Sequence, residues 1–423
     1  MTVRPTTRTL STFICGTLAG TLSQDEHGLR SFRYESDYNG PPLSLSMPIS
    51  NKTYRGRIVD AYLLGLLPDD ERVRREAGRR FGVSGNNPFA LLSHMGLDCP
   101  GAVQFCRPED EDCLFRPEEL RPLSEREIAK RLVPASKRQE DTWIRTEERW
   151  SLGGNQAKFA LRLQDGKWYE CHGAAASTHI FKPGIEGMRL EALDEYVTMK
   201  VAQACGLPTE QVDYLLFDGV PAIVATRYDR EVTYAGIRRI HQEDFCQALS
   251  YTPDMKYAED GGPSTPDVIA LLRRTSDAVA SLEAFSAMLF FNYLLGAPDS
   301  HAKNYSLVHV DGRTCLLAPL YDVASGIPYN LTGKHPLRMA MSIGGENRLG
   351  FVDRSHVTRF AQVAGIEHDR CLNLMANLCE RIPIAMESVL EGEIARNTPG
   401  ADELAERLLP SARAHCVHIL QQL

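Results

Sequence analysis

The stretch that most restricts this chain is an apolar helix signal, Ser281–Leu295, running into a loop of acids and amides, Asp299-Ser-His-Ala-Lys-Asn304. A helix that is apolar on nearly every side has to be buried, so it belongs at the centre of a helical body. Its far end then delivers Asp299 and Asn304 to one edge of that body. A third oxygen donor, Asp322, follows in Leu320-Tyr-Asp-Val323 after a β-like segment. An Asp, four residues, an Asn and a later Asp is the order in which protein-kinase-type sites supply their groups. One carboxylate accepts the attacking hydroxyl's proton, and two oxygens hold Mg²⁺ against the phosphates of ATP.

The rest of the chain sorts around that helix. Residues 1 to about 50 alternate β-like segments with turns: Thr12–Leu18, Leu29–Tyr34 and Leu43–Met47. Helices are expected at Asp69–Phe81, with acids early and arginines late, and at Phe89–Met95 behind an Asn87-Pro88 start. Another opens at the capping box Ser124-Glu-Arg-Glu127 and runs to Val133. Short strands resume at Phe159–Leu163, Lys167–Cys171 and Thr178–Lys182. A helix over Leu190–Cys205 is stopped by Gly206, and Val212–Phe217 and Ala222–Tyr228 flank an Asp218-Gly219 turn. Beyond about residue 240 the pattern is mostly helical, including Glu367–Leu390 and Ala401–Gln422. The expected class is α+β, a protein-kinase-like two-lobe fold with an N-terminal mixed α/β module. Its parts are a module at 1–134, a linker at 135–150, a β-rich small nucleotide-binding lobe at 151–230 and an all-α catalytic lobe at 231–423.

Composition narrows the setting. A net charge of −8 over 423 residues argues against the chain wrapping nucleic acid by itself. Eleven cysteines, an odd count without a CxxC pair, fit a reducing and hence cytoplasmic setting. His94, Cys99, Cys106 and Cys113 match no common zinc spacing, and thiols among apolar residues are usually core. No stretch has the apolar length of a membrane span. Phe13–Leu22, broken by Gly16 and Gly20, reads as two strands about a glycine turn rather than as a signal peptide.

Further groups fit nucleotide chemistry. Ser151-Leu-Gly-Gly-Asn-Gln-Ala-Lys158 precedes a β pair, and adjacent glycines let backbone N–H groups approach phosphate oxygens. Gly153, Gly154, Asn155, Gln156, Ala157 and Lys158 are therefore the expected nucleotide loop, although Gly-Gly before a strand is more often a plain turn. Lys182, at a strand end, can reach the α and β phosphates as a point charge, with Glu191 or Glu195 as its helix partner. Thr226, Arg227 and Tyr228 stand where a hinge must pass between lobes, so their backbone would take adenine with Tyr228 packed nearby. Asp299 is the expected general base, and Asn304 and Asp322 the metal ligands. His301 and Lys303 contact phosphate or brace the carboxylates, and Tyr321 is grouped with them. Singly each has a blander explanation as a turn former or solvated charge. The whole order is hard to obtain by accident.

These residues closely resemble the HipA family, the serine/threonine kinase toxins of bacterial type II toxin–antitoxin pairs. The resemblance is carried by Ser151–Lys158, Ser177–Pro183, Arg227–Arg230, His241-Gln-Glu-Asp-Phe-Cys-Gln247, Lys256-Tyr257, Asp260-Gly-Gly-Pro263, Leu294–Leu307 and Pro319–Ser325. Upstream, Leu43–Pro48, Leu66-Leu-Pro-Asp69 and Gly96–Ala102 resemble the family's N-terminal module, so nearly the whole chain is covered. The resemblance implies that Ser151 is autophosphorylated and that Gln242 lies near the nucleotide. It implies a protein substrate in translation, typically glutamyl-tRNA synthetase, and a HipB-like helix-turn-helix antitoxin that carries most of the affinity for operator DNA. One departure stands at the hinge. Thr226 and Tyr228 replace the glutamate and phenylalanine frequent in the family, which leaves side-chain roles there open. The rival readings are a small-molecule phosphotransferase, which has no need of the N-terminal module, and a catalytically silent corepressor scaffold. A scaffold has no need of Lys182, Asp299, Asn304 and Asp322 together.

Overall fold

The computed structural model describes residues 7–136, 149–330 and 336–423. Arg8–Ile14 and Thr17–Gln24 form a hairpin across Cys15 and Gly16, both at positive φ, which is the glycine turn expected there. With Arg30–Tyr34, Tyr54–Arg55 and Val103–Cys106 they build an antiparallel five-stranded sheet. Leu43–Met47 is not a strand. The Tyr34 hydroxyl accepts from the Leu43 N–H at 2.7 Å and donates to the Met47 carbonyl at 2.5 Å. The segment therefore bends around that buried phenol and keeps only a Ser44–Met47 bridge. The helix expected from Asp69 starts later, at Glu71–Phe81, because Asp70 is its cap and accepts from the Arg72 N–H. Asp69 is thereby left outside the helix.

The second sheet has six strands, in the order Gln211–Phe217, Val220–Thr226, His179–Lys182, Phe159–Gln164, Lys167–His172 and Glu119–Leu123. Its last strand comes from the span assigned above to the N-terminal module, and the helix after it, Glu125–Ser136, packs on the opposite edge of the same sheet. Buried Arg131 ties the helix to the middle of the sheet as well: its guanidinium lies 4.4 Å from the Phe159 ring centroid and 3.5 Å from Glu170. Pro134 lies inside that helix and does not end it. Most of the expected linker, residues 137–148, lies outside the described residues. Both sheets share one core that includes Phe32, Leu63, Leu91, Phe159, Phe181 and Val224.

The helical lobe closes a separate core around Ala278–Leu294, the apolar helix, packed with His368–Leu390 and Ala401–Gln422. The small-lobe helix Glu191–Ala204 contributes its apolar face to this second core. The lobe is not all-α, because three small sheets went unseen in the sequence. Arg230–Thr233 pairs with Gly236–Arg239, Arg338–Ile343 pairs with Glu346–Arg348, and a three-stranded sheet of His241–Asp244, Ser306–His309 and Cys315–Leu317 takes up the chain where it leaves the Asp299 loop. Phe181 neighbours Lys182 and stacks on Phe159 at 5.2 Å with Trp168 edge-on at 4.8 Å. Phe181→Ala is expected to lower the unfolding free energy by about 3–5 kcal/mol in denaturant titration. A loss below about 1 kcal/mol would contradict a close-packed shared core.

Candidate active site

Between the six-stranded sheet and the helical lobe lies a cavity of about 620 Å³. Its lining includes Gly153, Gly154, Asn155, Gln156, Lys158, Lys182, Arg227, Tyr228, Gln242, Asp299, His301, Lys303, Asn304, Tyr321 and Asp322. Ala157, Thr226 and Ser151 are not among the lining residues.

Lys182 ends its strand and reaches inward. Its ammonium donates to Glu195 at 2.6 Å and to Asp322 at 2.5 Å. Of the two candidate glutamates, Glu195 makes the pair, while Glu191 lies 3.5 Å from the Gln156 amide nitrogen. Burial by itself would raise the Asp322 pKa, but the charges of Lys182 and Lys158 hold the carboxyl below its ordinary range. Burial works against the Lys182 ammonium too, yet Asp322 and Glu195 raise its pKa and keep it charged. Asp322 also sits at φ +59°, a left-handed conformation uncommon for a non-glycine residue.

The Asp299 loop is set by its own hydrogen bonds. The Asp299 carbonyl accepts from the His301 N–H at 2.8 Å and from the Asn304 amide at 2.8 Å, which turns Asn304 Oδ1 away as the remaining acceptor. The Asp299 carboxylate is 68% exposed, and the Tyr257 hydroxyl donates to its Oδ1. His301 packs edge-on to Tyr257 at 4.9 Å, and burial pushes its imidazole down to about 4. Lys303 points to Asp69 at 2.6 Å. At the opposite end, Tyr228 donates to Gln242 Oε1 and its ring lies 5.7 Å from that of Tyr321.

Two candidates are engaged elsewhere. The Arg227 guanidinium is consumed by Asp229 at 2.8 and 2.9 Å, Ser177 at 2.9 Å and the Cys99 carbonyl at 2.9 Å, so its side chain braces the hinge from behind. Ser151 is fully buried, its hydroxyl donating to Cys99 Sγ at 3.3 Å and its N–H to the Asp98 carbonyl at 3.1 Å. Sequence reasoning missed Glu210 and Tyr257 as cavity groups, and it missed Asp69, which stands behind the lining and holds Lys303, Lys256 and Gly154. A signal for Asp69 was present, because two aspartates precede a helix that needs one cap.

The family description "HipA-like C-terminal domain" matches residues 150–386, and "HipA N-terminal domain" matches residues 10–106. Y4mE of Sinorhizobium fredii is 35% identical over 422 residues, covering 95% of this chain and 98% of that protein. The serine/threonine-protein kinase toxin HipA of Shewanella oneidensis is 26% identical over 401 residues, covering 91% and 90%. The fold also matches a solved Shewanella oneidensis complex of HipA, HipB and operator DNA, with a TM-score of 0.83, 25% identity and 97% of each chain covered.

His301 offers a pH test. A folded-state value of about 4 lies below the ordinary value near 6.5. Its contribution to stability is therefore complete above about 6.5 and is lost as pH falls through about 4. The His301 ring resonance is expected not to titrate between roughly pH 5.5 and 8 in histidine-selective NMR. A midpoint near 6.5 would contradict the buried, neutral imidazole.

Proposed function

The chain belongs to the HipA family, and from that premise we propose that it is an ATP-dependent serine/threonine protein kinase, the toxin of a toxin–antitoxin pair. The observation that carries this reading is the contact of Lys182 with both Glu195 and Asp322, inside the cavity that the Asp299 loop also lines. A strand lysine, a helix glutamate and a late aspartate in one cluster are what a phosphate-anchoring kinase site requires.

In the proposed reaction an acceptor serine oxygen attacks the γ-phosphorus of ATP. The bond from that phosphorus to the β–γ bridging oxygen breaks, the hydroxyl proton passes to the Asp299 carboxylate, and ADP leaves. Asp299 suits this role because it is open to the cavity yet oriented by Tyr257 and by the backbone turn that Asn304 closes. Lys182 takes the α and β phosphates, and Gly153 to Lys158 covers them. Asp322, held anionic, and Asn304 Oδ1 are hard oxygen donors of the kind Mg²⁺ accepts beside phosphate oxygens, and they would hold it. Bound there, Mg²⁺ would neutralise charge developing on the phosphates.

We propose a serine of a translation component as the acceptor, with glutamyl-tRNA synthetase the first candidate, and Ser151 as a second acceptor in the chain itself. Since Ser151 is buried against Cys99, its modification requires the 149–152 segment to leave that place. Once added, nearly two negative charges would oppose its return beside Asp98. A HipB-like helix-turn-helix antitoxin is the proposed restraint, and it would supply the DNA affinity that a net charge of −8 does not favour. Incubated with γ-labelled ATP and Mg²⁺, the wild type is expected to label itself at Ser151. Asp299→Gln should slow labelling at least about 100-fold, the scale of a lost general base. Equal labelling of the two proteins would remove Asp299 from the role, and no transfer by wild type to itself or to the synthetase would remove the kinase reading.

A further inference from the structure

Resting on the kinase reading, we propose that Asp69 of the N-terminal module is a positioning residue for phosphoryl transfer, joining the glycine loop to the Asp299 loop. Asp70 caps the following helix, so the Asp69 carboxylate serves no capping function. It turns instead toward the back of the cleft wall, where it is 9% exposed and meets lining groups from both lobes. Oδ1 accepts from Lys303 Nζ at 2.6 Å and from the Gly154 N–H at 3.3 Å, and Oδ2 accepts from Lys256 Nζ at 3.1 Å. The Asp69 N–H returns a bond to the Gly154 carbonyl at 2.9 Å, next to a parallel bridge between Pro68 and Gly154. One residue therefore holds Gly154 by both its backbone groups, at φ +99°, and holds the lysine of the Asp299 loop with the same carboxylate.

Packing makes that arrangement restrictive. A Cβ on Gly153 would lie 2.6 Å from the Gly65 carbonyl oxygen, and Gly154 is at φ +99°, with the Lys158 ammonium 2.8 Å from where its Cβ would stand. The loop is thus pressed against the backbone of the N-terminal module, and only glycines let it settle there. Burial by itself would raise the Asp69 pKa, but Lys303 and Lys256 hold the carboxyl below its ordinary range. In return Asp69 is the paired carboxylate, at 2.6 Å, of a lysine that is itself buried. An ammonium has three donors, so Lys303 can keep Asp69 and still present N–H to a phosphate oxygen. Without the carboxylate, Lys303 and Lys256 would repel each other in a poorly solvated site, and the loop would lose its fixed height over the phosphates.

Asp69→Asn keeps the shape and an oxygen for Gly154 but removes the charge. Self-labelling by γ-labelled ATP is expected to slow about 10- to 100-fold, the range a small misplacement costs. The dissociation constant for ATP should rise about tenfold, while that for adenosine, which has no phosphates, stays unchanged in calorimetry. In a Lys303→Met background the same change should add less than about twofold, because the two act as one unit. A loss that is additive with Lys303→Met, or equal for ATP and adenosine, would mean ordinary structural damage and would overturn the proposal. So would wild-type kinetics and affinity. If Asp69→Asn does not fold, Asp69→Glu keeps the charge but lengthens the arm. It is expected to weaken ATP without weakening adenosine, and unchanged affinity for both would again overturn the proposal. A wild type that binds ATP but transfers nothing removes the kinase reading alone, since the contrast between ATP and adenosine still decides the place of Asp69. A wild type that binds no ATP removes both.

Discussion

The cleft depends on one buried ammonium flanked by two carboxylates. Lys182 comes from a sheet, Glu195 from the helix that follows it, and Asp322 from a loop of the helical lobe. Removing Lys182 would leave two carboxylates facing each other without a counter-charge, at a desolvation cost of several kcal/mol. The three are satisfied together only when the lobes stand at one separation, so the cluster acts as a gauge for the width of the cavity. Its balance is also informative. Lys158 and Lys182 face Glu195, Asp322 and the neighbouring acids Glu191 and Glu210, which burial pushes up to about 8 each. Raised that far, Glu191 and Glu210 are largely neutral near pH 7, so the charges facing a polyphosphate on the kinase reading are the two lysines and the Lys182-paired carboxylates.

A second buried cluster governs the other end. Asp98 accepts from Arg230 at 2.9 Å, Arg239 at 2.5 Å and the Ser177 hydroxyl at 2.6 Å, while Asp229 accepts from Arg227 and from the Gly101 N–H at 2.6 Å. Three arginines and two aspartates thus lock the hinge strand to the loop between Leu97 and Gly101. The N-terminal module therefore grips the cleft twice, at the hinge through Asp98 and at the glycine loop through Asp69. With a core shared between the two sheets, it forms a wall of the site.

Local signals were legible where chemistry is local. Asn87-Pro88, Ser124-Glu-Arg-Glu127 and Asp218-Gly219 declared their caps and turn because such motifs are satisfied within a few residues. The Asp299 to Asn304 spacing was legible for the same reason: one amide closes the turn back on its own aspartate. Long-range partnerships were not. Choosing Glu195 over Glu191 needs the rotation of the helix about Lys182, and Asp69 meets Lys303 across 234 positions. Glu119–Leu123 was grouped by its place in the chain, whereas its edge pairing with Lys167–His172 decides where it belongs. The three-stranded sheet inside the helical lobe leaves little periodic signal, because its strands are four residues or fewer and carry polar groups such as Glu243 and His309, buried as a pair at 2.9 Å.

The hinge departure has a structural answer. Thr226 is spent in the sheet, paired with Gln211 on one side and His179 on the other, so its side chain does not line the cavity. A half-buried phenol is best placed with a partner for its hydroxyl, and Tyr228 finds one in Gln242 Oε1. The Gln242 nitrogen donates in turn to Asp229 at 3.2 Å. The amide is therefore held in one orientation, with its oxygen and one N–H committed. On the kinase reading, polar recognition of the base falls to the hinge backbone, and the rings of Tyr228 and Tyr321 supply the apolar surface beside it. A tyrosine at this position thus changes what orients Gln242 while leaving the route by which adenine would be read.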